Sequence, residues 1–289
     1  MKPQHLALMM LINMVWGFSF IPGKWAVDEL SPILFTGLRY ALLAVALLPF
    51  LKIKPGQMRL IFGIAMFTGA LHFTFFYTGL SLADDVSSVA IAGQMGVPFA
   101  TIVAMIFLKE RIGWKRASGI GLSFGGIVIM SFDPRVFSYI DAMIVTMMAA
   151  LLYSFALIFM KRLRDTNPFE LQGWVAMFSW PVLFLVSALT ESGQVASIQA
   201  ASSSAWLGVV YTALGASLIG HAGNYYLVQR YDVSLTAPMG LLAPIFGVCF
   251  GIWLNDDIVT GRMLLGSAFV LGGCLIIALR KRQMEVASP

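Results

Sequence analysis

The stretch DVSSVAIAGQMGVPFATIVAMIFLKE at residues 85–110 comes back 147 positions later, diverged and without a gap, as DVSLTAPMGLLAPIFGVCFGIWLNDD at 232–257. Asp85, Val86 and Ser87 align with Asp232, Val233 and Ser234, Gly93 aligns with Gly240, and Glu110 aligns with Asp257. The register runs on, so that Gly119, Gly125 and Gly126 meet Gly266, Gly272 and Gly273. Upstream the register is 137, where Trp16-Gly17 meets Tyr153-Ser154 and Lys24 meets Lys161. The ten-residue difference fits an insertion, and the Ser-, Ala- and Gln-rich loop 190–203 is the natural place for it. The chain thus reads as two copies of one unit, 1–138 and 139–289.

Composition sets the medium in which those copies fold. Apolar residues make up 59% of the 289 and charged residues 11%, with a mean hydropathy of +0.84. Soluble domains carry about 25% charged residues. The charges here fall between apolar runs near the length a helix needs to cross a bilayer. Ten such runs are expected, at 4–22, 32–51, 59–82, 86–108, 116–132, 141–160, 169–189, 204–228, 234–254 and 262–279. Lys2 precedes the first without a small-x-small cleavage site, so that run is read as a retained helix and not a signal peptide.

The loop charges support this count. With ten spans one side collects Lys2, Lys52, Lys54, Arg59, Lys109, Arg111, Lys115, Arg116, Lys161, Arg162, Arg164, Arg230, Arg280, Lys281 and Arg282, and the other only Lys24, Arg135 and Arg262. The positive-inside rule places the first side, with both termini, in the cytoplasm. The net charge of +5 is therefore a sign of topology and not of nucleic-acid binding. Five spans per copy is odd, so the two copies lie inverted in the membrane, an arrangement typical of alternating-access carriers.

Three motifs give the pattern a family likeness. The first span contains Val15-Trp16-Gly17-Phe18-Ser19-Phe20, the second Gly37-Leu38-Arg39-Tyr40, and the fourth ends Phe107-Leu108-Lys109-Glu110-Arg111 and leads to Gly119. In this order, on ten spans with an internal repeat over residues 5–280, they resemble the EamA branch of the drug/metabolite transporter superfamily. The second copy departs from the pattern, reading Asn255-Asp256-Asp257-Ile258 without an adjacent base and lacking a counterpart of Arg39. The resemblance implies a ten-helix carrier whose spans 1, 3, 4, 6, 8 and 9 surround a central cavity, with 5 and 10 peripheral. It also implies outward transport of amino acids, their derivatives, or small aromatic or cationic compounds.

Candidate site residues follow from polarity at membrane depth. Arg39 is the one ionised residue well inside an expected span. An unpaired charge there costs at least about 2.5–3.5 kcal/mol, so it must face protein or water. It is either an anchor for a substrate carboxylate, or a gate, or it is tied to backbone carbonyls or to Asp28 or Glu29. Asn13, Trp16, Gly17 and Phe20 share a helical face, as do Thr68, His72, Phe75 and Gly79, with Tyr77 adjacent. Ala90, Gln94, Val97 and Thr101 align in span four, and Ser217, His221, Asn224 and Val228 in span eight beside Tyr225. Tyr153 stands at the repeat position of Trp16. From these, Asn13, Trp16, Arg39, His72, Tyr77, Gln94, Tyr153, His221, Asn224 and Tyr225 are the candidate cavity residues, with helix-to-helix bonding as the plain alternative for each polar one. Gly93 and Pro98 in span four, and Pro238, Gly240 and Pro244 in span nine, mark broken repeat partners that act either as moving gates or as static kinks.

Several functions lack the residues they need. No span holds a central Asp or Glu, which speaks for weak or no obligatory proton coupling. There is no Walker motif, nucleophile elbow or metal-ligand spacing, so no cofactor, metal or enzymatic role is expected. Cys249 and Cys274 lie in apolar runs as packing residues. The expected partners are a small-molecule substrate and the lipid bilayer of the inner membrane, with the chain a monomer or homodimer. The leading expectation is export of apolar or aromatic amino acids; efflux of cationic drugs and a passive channel or lipid translocator are the alternatives. In a bacterial host, a fluorescent protein fused to the C-terminus should fluoresce and an alkaline phosphatase fused there should be inactive. The opposite pair of results would break the ten-span count.

Overall fold

The computed structural model describes residues 1–83, 89, 92–131, 140–255 and 261–279. Asp85, Val86, Ser87, Ala90, Arg135 and Asp257 lie outside them, as does 280–289. All regular structure among the described residues is helical. The helices are α1 (Pro3–Val27), α2 (Pro32–Leu47), α3 (Met58–Leu82), α4 (Gly96–Phe107), α5 (Trp114–Ser131), α6 (Ile140–Arg162), α7 (Pro168–Thr190), α8 (Gln194–Ala200), α9 (Ser203–Arg230), α10 (Val233–Met239), α11 (Leu242–Asn255) and α12 (Gly261–Leu279). Six of them, α1, α2, α3, α6, α7 and α9, are long and apolar enough to cross a membrane, α2 with the short 3₁₀ turn Leu48–Phe50 that extends it. The chain is therefore a multi-pass membrane protein.

Two features differ from the sequence expectation. The loop 190–203 contains a short helix, α8, capped behind Gly193 in the left-handed conformation. Helices α3 and α9 each switch to i→i+5 bonding midway, as π-helix over Ala65–His72 and Tyr211–His221. Both π segments end on a histidine, and hydropathy alone carries no signal for either.

Helix starts follow local chemistry. Proline occupies the first turn of α1, α2 and α7, where its missing N–H is no loss. Asn167 and Glu170 form a capping box at α7. Other ends borrow partners from distant helices, since lipid offers none. Glu191 accepts from the Ile33 and Leu34 amides at 2.8 and 3.0 Å. Glu110 accepts from Val233 and Ser234 at 3.0 Å each. Glu29 accepts from the Ser202 amide and hydroxyl at 2.6 Å, which holds its carboxyl below the usual range.

Several ties come in repeat-related pairs. Lys24 donates to the carbonyl of Ala83 at the end of α3, and Lys161, its repeat partner, donates to those of Val228 and Tyr231 at the end of α9. Glu191 follows α7 and caps α2, while Lys54 follows α2 and pairs with Glu170 of α7 at 3.3 Å. The helix contacts follow the same exchange. Helix α2 packs on α7 and α5 on α12, each a repeat pair; α3 on α6 answers α1 on α9, and α4 on α6 answers α1 on α11.

Close approach at the α1–α11 crossing requires glycine. A Cβ on Gly17 would lie 2.6 Å from the carbonyl oxygen of Ala243 and 2.8 Å from the amide of Gly247, both backbone atoms that cannot swing away. Gly121, by contrast, has nothing within 4 Å of its virtual Cβ. Gly17→Val should therefore lower the thermal unfolding midpoint in detergent by the equivalent of about 1–3 kcal/mol. Gly121→Ala should leave the midpoint unchanged or slightly raised.

Candidate functional site

Arg39 sits at the middle of α2 and is fully buried. Nη1 donates to the Tyr77 hydroxyl and Nη2 to Ser217 Oγ, each at 3.0 Å, while Nε has no partner. The guanidinium lies 4.0 Å from the centroid of the Phe73 ring and 5.4 Å from that of Tyr40. The two loop acids that could have neutralised it are taken elsewhere, Asp28 by Lys24 at 2.6 Å and Glu29 by Ser202. Among the described residues no carboxylate pairs with Arg39. Its charge is solvated by two neutral hydroxyls and aromatic faces, which hold a guanidinium in place without cancelling it.

The arginine lines a central cavity of about 190 Å³ with Trp16, Phe20, His72, Phe73, Phe76, Tyr77, Gln94, Thr146, Tyr153 and His221. A second cavity of about 130 Å³ is lined by Met9, Trp16, Gln94, Val97, Tyr153, Leu157, Asn224, Val228 and Thr236. The structure thus brings together eight of the ten candidates, namely Trp16, Arg39, His72, Tyr77, Gln94, Tyr153, His221 and Asn224. It leaves two out. Asn13 is fully buried and donates to its own helix at Met9 O, and Tyr225 is fully buried and accepts from Gln229. Neither lines either cavity.

The broken helices border the same space. Turns with i→i+3 bonding separate Gly93 from Gly96 and Met239 from Leu242, and Gly93 and Gly240 line both cavities. Pro98 and Pro244 each stand in the first turn of the helix that follows the break, where proline is compatible with helix, and Pro238 stands near the end of α10. The prolines themselves are not cavity-lining; the glycines and the turns are.

Two aromatic–histidine pairs face each other across the larger cavity. Trp16 of α1 packs on His221 of α9 with ring centroids 5.2 Å apart, and Tyr153 of α6 packs on His72 of α3 at 5.0 Å. The repeat exchanges α1 with α6 and α3 with α9, so one pair is the image of the other. The linear register had hidden this, because His72 and His221 are 149 apart and not 147. His72 Nδ1 lies 2.9 Å from the Ala149 carbonyl, an acceptor only, so this nitrogen carries the proton and Nε2 is left to accept.

Sequence reasoning missed Phe73 and Phe76, which line the cavity beside His72 and Tyr77. The π segment Ala65–His72 ahead of them changes the facing of Thr68 relative to these residues. It also left Ser217 out as the second partner of Arg39, which the helical face shared with His221 could have suggested.

The profile of the EamA-like transporter family matches residues 5–132 and again residues 141–279. The chain belongs to this family. It is a membrane transporter and not an enzyme. Over 279 residues and 93% of both chains it is 24% identical to the "Probable amino-acid metabolite efflux pump" of Escherichia coli (strain K12). The protein of that name from Salmonella typhimurium is likewise 24% identical over 93% of both chains. An "Uncharacterized transporter" of Archaeoglobus fulgidus is 28% identical over 92% of this chain and 95% of its own. A solved crystal structure at 16% identity shares the fold, with a TM-score of 0.75 over 97% of this chain and 99% of that one.

If the Arg39 charge were there for stability, removing it should weaken the transporter. A buried charge without a counter-ion instead predicts the reverse. Arg39→Met should leave the unfolding midpoint in detergent unchanged or raise it, while abolishing transport. A midpoint lowered in step with activity would assign the arginine to the scaffold.

Proposed function

We propose that this chain is a ten-span secondary carrier of the inner membrane that exports small amphipathic metabolites, most of all amino acids with apolar or aromatic side chains. The observation that carries the reading is Arg39, an unneutralised buried cation lining a cavity to which no described Asp or Glu contributes. Such a site attracts a carboxylate. The surrounding Trp16, Phe20, Phe73 and Phe76 suit an apolar side chain, and Gln94 supplies a neutral amide for the rest of a zwitterion. A cationic drug would meet repulsion there. The names of the Escherichia coli and Salmonella relatives point the same way.

The ten-span reading, with both termini cytoplasmic and the copies inverted, is supported by helices that occupy each of the ten expected stretches and by the paired ties described above. The end of the bundle bearing Glu110, Lys161 and Arg116 is then the cytoplasmic one. In this structure it is cross-linked by Glu110 on α10, by Lys161 on the end of α9, and by Arg116 with Asp232 at 3.6 Å. The titratable groups among the described lining residues are Arg39, two histidines and two tyrosines, which supports transport with weak or no obligatory proton coupling.

Proteoliposomes loaded with unlabelled L-phenylalanine should take up the labelled amino acid by saturable counterflow. Arg39→Ala should reduce this at least about tenfold, as expected for losing a hydrogen bond between charged partners, and Gln94→Ala should raise the half-saturating concentration. A pH gradient should change the rate by well under about tenfold. Counterflow that is unaffected by both substitutions would overturn the site.

A further inference from the structure

The two cavities are neighbours. Trp16, Gly93, Gln94, Gly96, Tyr153 and Gly240 line both of them. Residues that line only the larger, such as Phe20, Tyr77 and Thr146, stand late in α1, late in α3 and early in α6. Those that line only the smaller, such as Met9, Leu157 and Val228, stand early in α1, late in α6 and late in α9. The smaller cavity therefore lies toward the Glu110 end, and the shared residues lie between the two, Trp16 and Tyr153 near the middle of their helices and Gly93, Gln94, Gly96 and Gly240 at the helix breaks.

We propose that the smaller cavity is a second substrate subsite on the Glu110 side. Trp16 and Tyr153 form the partition between the subsites, and the hydrogen bond from Asn224 to Tyr153 is its latch. The inference rests on the carrier reading. Among its described residues the lining of this subsite bears the neutral polar groups Gln94, Asn224 and Thr236 and no ionised side chain. It takes a small neutral or zwitterionic amphiphile without an ionic contact, so a carboxylate is held firmly only after passing the partition to Arg39.

The two leaves are the repeat-related aromatics, but they are not held alike. Tyr153 packs on His72 from the larger side and accepts a hydrogen bond from Asn224 Nδ2 at 2.9 Å from the smaller side. Trp16 packs on His221, and its indole Nε1 is buried without a partner. At the register of the paired histidines Asn224 stands where α3 has Phe75, which offers no hydrogen bond to the other leaf. The Tyr153 leaf is thus fastened and the Trp16 leaf is not. Glycine at 220 lets the Trp16 indole pack directly on the backbone of α9, where a Cβ would collide with its nitrogen.

Thiol accessibility tests the partition without reference to any substrate. In a Cys249→Ser, Cys274→Ser background, Ser19→Cys reports on the larger cavity and Ala237→Cys on the smaller. A membrane-impermeant anionic methanethiosulfonate is added to intact cells, on the side opposite the Glu110 end. Ser19→Cys should react readily and Ala237→Cys slowly. Adding Asn224→Ala or Tyr153→Phe, which remove the same bond from opposite partners, should speed Ala237→Cys by about fivefold, the shift expected when a two-state gate loses one hydrogen bond. The rate at Ser19→Cys should not change, which guards against unfolding. Equal rates at the two reporters in the parent, or no acceleration in either variant, would overturn the partition. Absence of phenylalanine counterflow would instead remove the substrate assignment and leave the accessibility result standing.

Discussion

A chain immersed in hydrocarbon must satisfy its own backbone, because no water is present to do so. Much of this architecture answers that constraint. The carboxylates of Glu29, Glu110 and Glu191 each reach from one helix to the free amides that begin another, and Lys24 and Lys161 cap the carbonyls that end two more. These groups lie at helix ends, where charge is tolerable. They also fix which helices are neighbours, since an amide pair at a helix start can be capped only by a chain that passes close by. The repeat means that each solution found in one copy was available to the other, and several ties recur in that way.

The interior shows what happens when the symmetry is broken. The paired Trp16–His221 and Tyr153–His72 contacts retain it. Arg39 has no counterpart, its repeat position in α7 being Ala176. One unmatched cation recruits Tyr77 and Ser217 and gives a chemically lopsided cavity between two similar halves. Burying that charge is costly, and neither hydroxyl offsets it fully. Among the described residues no carboxylate lines the cavity beside it.

The irregular backbone gathers around the cavities. The turns at Gln94 and at Gly240, and the π segments of α3 and α9, all adjoin the cavity walls. Each exposes carbonyls or shifts a helical face at membrane depth, which is stable only beside a polar or hydrated space. The remaining contacts, such as the glycine-lined seam where α5 meets α12, are regular and close.

The sequence by itself determined the helical class, the repeat, the charge asymmetry of the loops and the identity of Arg39 as the exceptional residue. These follow from composition and spacing along one chain, and they need no knowledge of neighbours. Only the tertiary structure decided which polar residues meet. Helices that are apolar all round give no moment to say which face turns inward. Asn13 and Tyr225 therefore read as well as Trp16 and Asn224 until packing placed them in the scaffold. The π segments add residues to a turn without a hydropathy signature, so they could not be read from the sequence, and Phe73 and Phe76 joined His72 and Tyr77 in the lining of α3 only in the folded structure. Contact between Arg39 and Ser217 spans 178 residues of chain, and no local pattern encodes a meeting at that distance.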